Sequence, residues 1–163
     1  ESKIIMRSAI LLVGGMGTRL HPLTLETPKP MLPVVGVPFT EHQIVKAREA
    51  GIKEIVLATA FKAEIFKPYF GDGSKFGIEI KYAVEKEPLG TGGAIRNAAK
   101  ELSGDQQVVI FNGDVLSSHD LKSQIDLHIS SNADVTLHLT PVDDARAYGC
   151  VPTDDDGRVT AFL

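Results

Sequence analysis

Four prolines, Pro22, Pro28, Pro30 and Pro33, stand close behind a glycine loop. A glycine loop that cradles phosphate usually opens a long helix, and prolines at this spacing forbid one. The loop follows Ser8 to Val13, where Ala9, Ile10, Leu11, Leu12 and Val13 form one apolar run. Such a run suits a parallel strand covered on both faces. Gly14, Gly15 and Gly17 then let the backbone turn tightly and approach a ligand, with N–H groups free to meet phosphate oxygens. Arg19 offers a fork of donors suited to phosphate, and Lys29 is presented between Pro28 and Pro30 on a stiffened segment. Neither common glycine motif fits. The P-loop string Gly-x-x-x-x-Gly-Lys-Ser/Thr does not occur, and Leu20 stands where the dinucleotide fingerprint needs its third glycine. The loop therefore reads as a phosphate cradle of a third kind, or else as a glycine turn with unrelated surface charges beside it.

The rest of the chain supplies the frame. Phe39 to Ala50 reads as a helix closed by Gly51, Lys53 to Ala58 as a strand, and Ala63 to Phe70 as a short helix interrupted by Pro68. Ile78 to Val84 alternates as a half-buried strand does, Thr91 to Leu102 is an alanine-rich helix, and Gln107 to Phe111 is a buried strand. Ser118 to Ser130 reads as a helix and Ala133 to Thr140 as a strand. Tyr148 to Pro152 and Arg158 to Leu163 flank a hairpin turn at Asp154-Asp155-Asp156-Gly157. Strands alternating with helices predict an α/β fold. Its sheet is mostly parallel and Rossmann-like, with helices on both faces and an antiparallel hairpin near the C-terminal end. In such sheets ligands bind at the carboxyl ends of the strands, where the glycine loop and Asn112-Gly113-Asp114 both fall. By local sequence alone, Asp114 reads as a magnesium ligand or as a turn residue. Glu85-Lys86-Glu87-Pro88-Leu89-Gly90-Thr91 reads as a binding loop before a helix N-terminus or as an ordinary strand-to-helix connection.

Composition narrows the function. The 163 residues suit a single domain, and a net charge of −4 speaks against general nucleic-acid binding. An anionic substrate would need local positive charge, which Arg19 and Lys29 supply. Cys150 is the single cysteine, which excludes an internal disulfide, suits a cytoplasmic setting and reads as a buried small apolar residue. No stretch reads as a signal peptide or a membrane span, so no membrane partner is expected. His21, His42, His119, His128 and His138 show no metal spacing; His128 and His138 read as surface and sheet residues. The Asp154 to Asp156 run reads as a solvated turn. Thr160-Ala161-Phe162-Leu163 ends on apolar residues, which leads us to expect a domain spanning 1–163 that is truncated at its C-terminal end.

Gly14-Gly15-Met16-Gly17-Thr18-Arg19-Leu20, Pro22-Leu23-Thr24 and Pro28-Lys29-Pro30-Met31 together resemble the signature of the sugar-1-phosphate nucleotidyltransferases. The resemblance covers nearly the whole chain from Ser8 onward. Within the family, the Leu-Val-Gly-Gly opening is most similar to the guanylyl-transferring branch that makes GDP-mannose. The resemblance implies an enzyme that joins a nucleoside triphosphate, GTP favoured, to a sugar 1-phosphate, mannose 1-phosphate first, and releases pyrophosphate. Thymidylyl or uridylyl transfer, and a non-catalytic regulatory homologue that binds nucleotide sugar, are the alternatives. It further implies that Leu12, Gly14, Gly15, Gly17, Thr18 and Arg19 bind the nucleotide and that Glu85, Pro88 and Gly90 line the base pocket. Arg19, Lys29 and Asp114 would be catalytic. Asp114 would bind Mg²⁺, with a second metal ligand beyond Leu163. Tyr148 and Gly149 would face the sugar, although a core tyrosine beside a strand glycine reads nearly as well. Homo-oligomerisation is left open.

Overall fold

The computed structural model describes residues 8–15, 18–60, 63–104 and 107–163. They fall into two compact units divided between Ile125 and Asp126.

The first unit is built on a four-stranded parallel sheet. Its strands are β1 (Ser8–Leu12), β4 (Glu54–Ala60), β5 (Glu79–Val84) and β6 (Val108–Asn112), in the order β5-β4-β1-β6. Ile10 pairs with Val56 on one side and Ile110 on the other, so β1 is central. Its apolar run is needed because both faces are covered. On one face Ile10, Val56, Ala58 and Ala83 pack against Ala98 of helix α3 (Gly90–Ala99). Alternation turns Ala9, Leu11, Ile55 and Leu57 to the other face, where they are also fully buried. Helices α1 (Phe39–Glu49) and α2 (Ala63–Phe70) bury Ile44, Ala47, Phe66 and Phe70. Between β1 and α1 the prolines hold the chain in short 3₁₀ turns and a small antiparallel hairpin, β2 (Pro33–Val34) with β3 (Val37–Pro38). Among the described residues this stretch holds no long helix, as expected from the prolines.

Several boundaries differ from expectation for identifiable reasons. Helix α2 runs through Pro68 without a break. A proline this late removes one hydrogen-bond donor, and buried Phe66 and Phe70 anchor the turn on either side of it. Helix α4 (Leu121–Ser131) begins three residues later than Ser118. Asp120 caps it, accepting from the Ser123 backbone N–H at 3.1 Å and from its hydroxyl at 2.6 Å. β6 was expected to be buried, yet Ile110 is 44% exposed, because β6 pairs only with β1 among the described residues.

In the second unit, residues 133–140 form no strand. The alternating pattern is present, but no described strand pairs with it, and Val135, Leu137 and Leu139 are exposed. The expected hairpin is there as an antiparallel ladder. The backbone N–H groups of Cys150 and Leu163 each donate to the other's carbonyl at 2.9 Å, and Thr153 bridges Val159. At its turn the Asp154 carboxylate accepts from the N–H groups of Asp156 and Arg158, as a solvated turn does. Cys150 is exposed on this ladder, not buried. His128 is buried and meets the Thr136 hydroxyl at 2.8 Å, which corrects its reading as a surface residue. No helix among the described residues is long and apolar enough to cross a membrane.

Candidate active site

The strand order reverses direction between β1 and β6, so their carboxyl ends form the crevice where α/β sheets bind ligands. Two loops leave the sheet there. The glycine loop follows β1: Gly14 is half-buried, Gly15 is exposed, and a Cβ built on Gly15 meets nothing within 4 Å. Gly17 lies outside the described residues, and of Thr18 only the backbone is described. Arg19 sits in the 3₁₀ turn Thr18–Leu20 with its side chain exposed.

The second loop is Asn112-Gly113-Asp114-Val115. The Val115 N–H donates to the Asn112 carbonyl at 3.3 Å, which makes these four residues a β-turn with Gly113 and Asp114 at its centre. Gly113 is required by close approach to β1. Its N–H donates to the Leu12 carbonyl at 2.8 Å, and a Cβ there would stand 2.1 Å from that same oxygen. Leu12, partly buried, thus acts through its backbone, tying the base of one loop to the other.

Lys29 reaches this turn from the proline segment. Its ammonium donates to the Asp114 carboxylate at 2.9 Å, with the two side chains 36% and 53% exposed. An ion pair this open adds little to stability. Its place is set by what surrounds it. Pro28 and Pro30 are buried, and the buried Thr40 hydroxyl of α1 donates to the Pro30 carbonyl at 2.8 Å. The same helix face carries Gln43, whose side-chain amide donates to the Asn112 carbonyl at 2.7 Å and the Val115 carbonyl at 2.8 Å. One turn on, the Lys46 ammonium donates to the Ser117 carbonyl. Sequence reasoning passed over Thr40, Gln43 and Lys46. The signal available was a threonine and a glutamine at i, i+3 on the face that also carries Ile44 and Ala47.

The Glu85 loop starts at the carboxyl end of β5. The Glu85 carboxylate accepts from the Leu89 N–H at 3.2 Å and so closes the loop onto the start of α3. Gly90 opens that helix with φ +68°, a conformation side chains resist. Helix α3 therefore starts one residue before Thr91, and Leu89 precedes it with no side-chain cap. Pro88 is exposed beside it. Tyr148 and Gly149 belong to the second unit. There Tyr148 is 80% exposed, which excludes a core tyrosine, and both backbone N–H groups donate to Ala145 at 2.9 Å.

No group of three or more histidine, cysteine, aspartate or glutamate side chains converges among the described residues. Asp114 is a lone carboxylate at a strand end, open to solvent. Mg²⁺ accepts such a partial set when phosphate oxygens and water complete it. The arrangement as a whole places a cation, an anion and a run of small residues around one crevice, which suits binding and reorienting phosphates more than covalent catalysis.

Comparison with known proteins agrees. Residues 8–163 match the Nucleotidyl transferase family. The chain is 54% identical over 155 residues to mannose-1-phosphate guanylyltransferase of Mycobacterium tuberculosis, covering 95% of this chain and 43% of that protein. It is 44% identical to D-glycero-α-D-manno-heptose 1-phosphate guanylyltransferase of Aneurinibacillus thermoaerophilus, covering 94% of this chain and 66% of that one. Among solved structures, HddC from Yersinia pseudotuberculosis complexed with GMP-PN superposes with a TM-score of 0.78 at 30% identity, covering 97% of this chain and 69% of that one. The chain thus spans less than half of the first relative and just under two thirds of the second. From its glycine loop to its last residue, this chain belongs to the nucleotidyl transferase family.

Proposed function

We propose that the protein carrying this chain transfers a guanylyl group from GTP to mannose 1-phosphate, giving GDP-mannose and pyrophosphate. The observation that carries the reading is the exposed Lys29–Asp114 pair, held at the crevice beside the glycine loop by buried hydrogen bonds. The relatives' guanylyltransferase names favour GTP, and the higher identity to the mannose enzyme favours that sugar.

In this reaction a phosphate oxygen of the sugar 1-phosphate forms a bond to the α-phosphorus of GTP. The bond from that phosphorus to the bridging oxygen breaks, and pyrophosphate leaves with the electron pair. The attacking oxygen is already ionised, so no general base is needed, and the protein's part is positioning and charge neutralisation. The backbone N–H groups of Gly14, Gly15 and Gly17, with Leu12 and Thr18, hold the nucleotide. Arg19 neutralises the departing pyrophosphate, and Lys29 holds the α-phosphate or the sugar phosphate. Asp114 would hold Mg²⁺, which would supply positive charge against the phosphate oxygens. Glu85, Pro88 and Gly90 line the base pocket. Guanine presents N1–H and its amino group side by side, and a carboxylate accepts both. Tyr148 and Gly149 face the sugar.

The test is pyrophosphate release with GTP, dTTP and UTP, each against mannose, manno-heptose and glucose 1-phosphates. GTP with mannose 1-phosphate is expected to have the highest kcat/KM. Glu85→Gln should cut the GTP preference by roughly one to two orders of magnitude, the size of one lost acceptor against a buried donor. A wild-type preference for dTTP or UTP defeats the guanine assignment, and no release with any pair defeats the transfer reading.

A further inference from the structure

Gln43 is only 2% exposed, and its amide nitrogen has two protons, both committed to carbonyls of the turn that carries Asp114. The amide cannot be reversed, because its oxygen would then face two other acceptors. As it stands, Oε1 is buried with no partner among the described residues. A leucine here would avoid that cost, so stability alone does not explain a glutamine. The turn does not need Gln43 in order to exist. The Asn112 carbonyl already accepts the Val115 N–H, so the turn is closed by its own backbone. What the amide adds is a fixed distance from α1 to the turn. Three residues earlier on the same buried face, Thr40 fixes the distance from α1 to the segment bearing Lys29.

We propose that Gln43 is a positioning residue: it holds the Asn112–Val115 turn so that the Asp114 carboxylate stays in register with Lys29 and with the divalent cation it would hold. The proposal rests on the nucleotidyl-transfer reading above. Displacing a reacting group by about 1 Å can cost a hundredfold in rate, so a strap of two hydrogen bonds on this turn has leverage far beyond its stability.

The experiment compares wild type with Gln43→Leu by steady-state kinetics, by Mn²⁺ titration of the GTP complex followed by electron paramagnetic resonance, and by thermal unfolding. Expected are a kcat lowered about 10- to 100-fold, a KM for GTP changed less than about threefold, and Mn²⁺ affinity weakened about tenfold. The melting temperature should change by only about a few degrees. On an Asp114→Asn background the Gln43 effect on residual turnover should vanish, because it acts through that carboxylate. If Gln43→Leu does not fold, Gln43→Met is read by the same criteria. Turnover and Mn²⁺ affinity within about twofold of wild type overturn the proposal, and so does a Gln43 effect that persists undiminished beside Asp114→Asn. Wild type that turns over no triphosphate overturns the transfer reading; wild-type turnover with an indifferent Gln43 variant overturns the positioning role alone.

Discussion

The two ends of the parallel sheet each carry a lysine–carboxylate pair, built in opposite ways. At the amino ends of the strands, Glu54 is 7% exposed and its carboxylate is crowded with donors. It accepts from Lys81 at 3.0 Å, from the Ser103 N–H at 2.9 Å and from the hydroxyls of Ser103 and Ser8 at 3.2 and 3.5 Å. Lys81 also donates to the Glu101 carbonyl at 3.0 Å. This knot ties β1, β4 and β5 to the chain leaving α3, and its charges are spent on one another. At the carboxyl ends, Lys29 and Asp114 face solvent, and the buried hydrogen bonds around them go to the backbone that carries them. A charge that is to meet a substrate must keep bonding capacity in reserve, so its placement has to come from main-chain anchors. The first pair is expected to govern stability and the second activity.

Breaking the second pair should give the largest effect. Asp114→Asn and Lys29→Ala are each expected to cost on the order of 3–4 kcal/mol of transition-state stabilisation, read as kcat/KM, while unfolding midpoints stay near wild type. A stability loss matching the activity loss would erase the contrast between the two ends. Glu54→Ala should do the reverse. Losing charged hydrogen bonds and stranding the serine donors is expected to lower unfolding free energy by about 2–3 kcal/mol in urea titrations, with turnover per folded molecule retained. Gly113→Ala lies between the two. A Cβ would collide with the Leu12 carbonyl, so about 1–3 kcal/mol of stability and most of the turnover should go together.

Smaller still is Val35→Asn. Val35 holds φ +51° in the β2–β3 turn, which a β-branched residue adopts under strain, so asparagine is expected to add about 1 kcal/mol of stability. The last effect is one of pH. Burial, with the charge of Asp72, pushes the Tyr82 phenol from an ordinary value near 10 up to about 12. The Glu54 hydrogen bond likewise holds the Lys81 ammonium above its usual range. Both groups lose their proton earlier in the unfolded chain than in the folded one. Their contributions are therefore complete below pH about 10 and are lost as pH rises through the folded values. Alkaline titration of unfolding should show this decline, and Glu54→Gln should blunt the lysine's share of it.

Much of this was legible in the sequence, and the exceptions share a cause. The β1 run, the proline-bound segment around Lys29 and α1 with its Gly51 are local signals, and the structure follows them closely. Residues 133–140 alternate as a strand does, but a strand is made by its partner, and the pattern cannot name one. The exposure of Ile110 has the same origin, since an apolar run does not say whether it lies inside a sheet or at its edge. Thr40 and Gln43 escaped notice because polar residues on a helix read as a solvated face. Their importance appears only when the segments they bind, one of them far along the chain, fold against them. The chemistry expected of Arg19 came from its guanidinium beside the glycine loop as well as from motif resemblance, and that of Glu85 from resemblance. In the structure Arg19 has an exposed side chain and Glu85 closes its own loop.

The contact between Gly113 and the Leu12 carbonyl also bears on how the site comes into being. About a hundred residues separate the two, so the contact closes a long loop and forms only when β6 docks beside β1. The glycine loop and the Lys29 segment are near neighbours in sequence and can take shape early. The carboxylate comes with β6, the last in sequence of the sheet strands among the described residues. A chain in which β6 has not docked would thus present its cations to phosphate with no anion to answer them, and the appearance of specific metal–nucleotide binding during refolding would time-stamp the docking of β6 against β1.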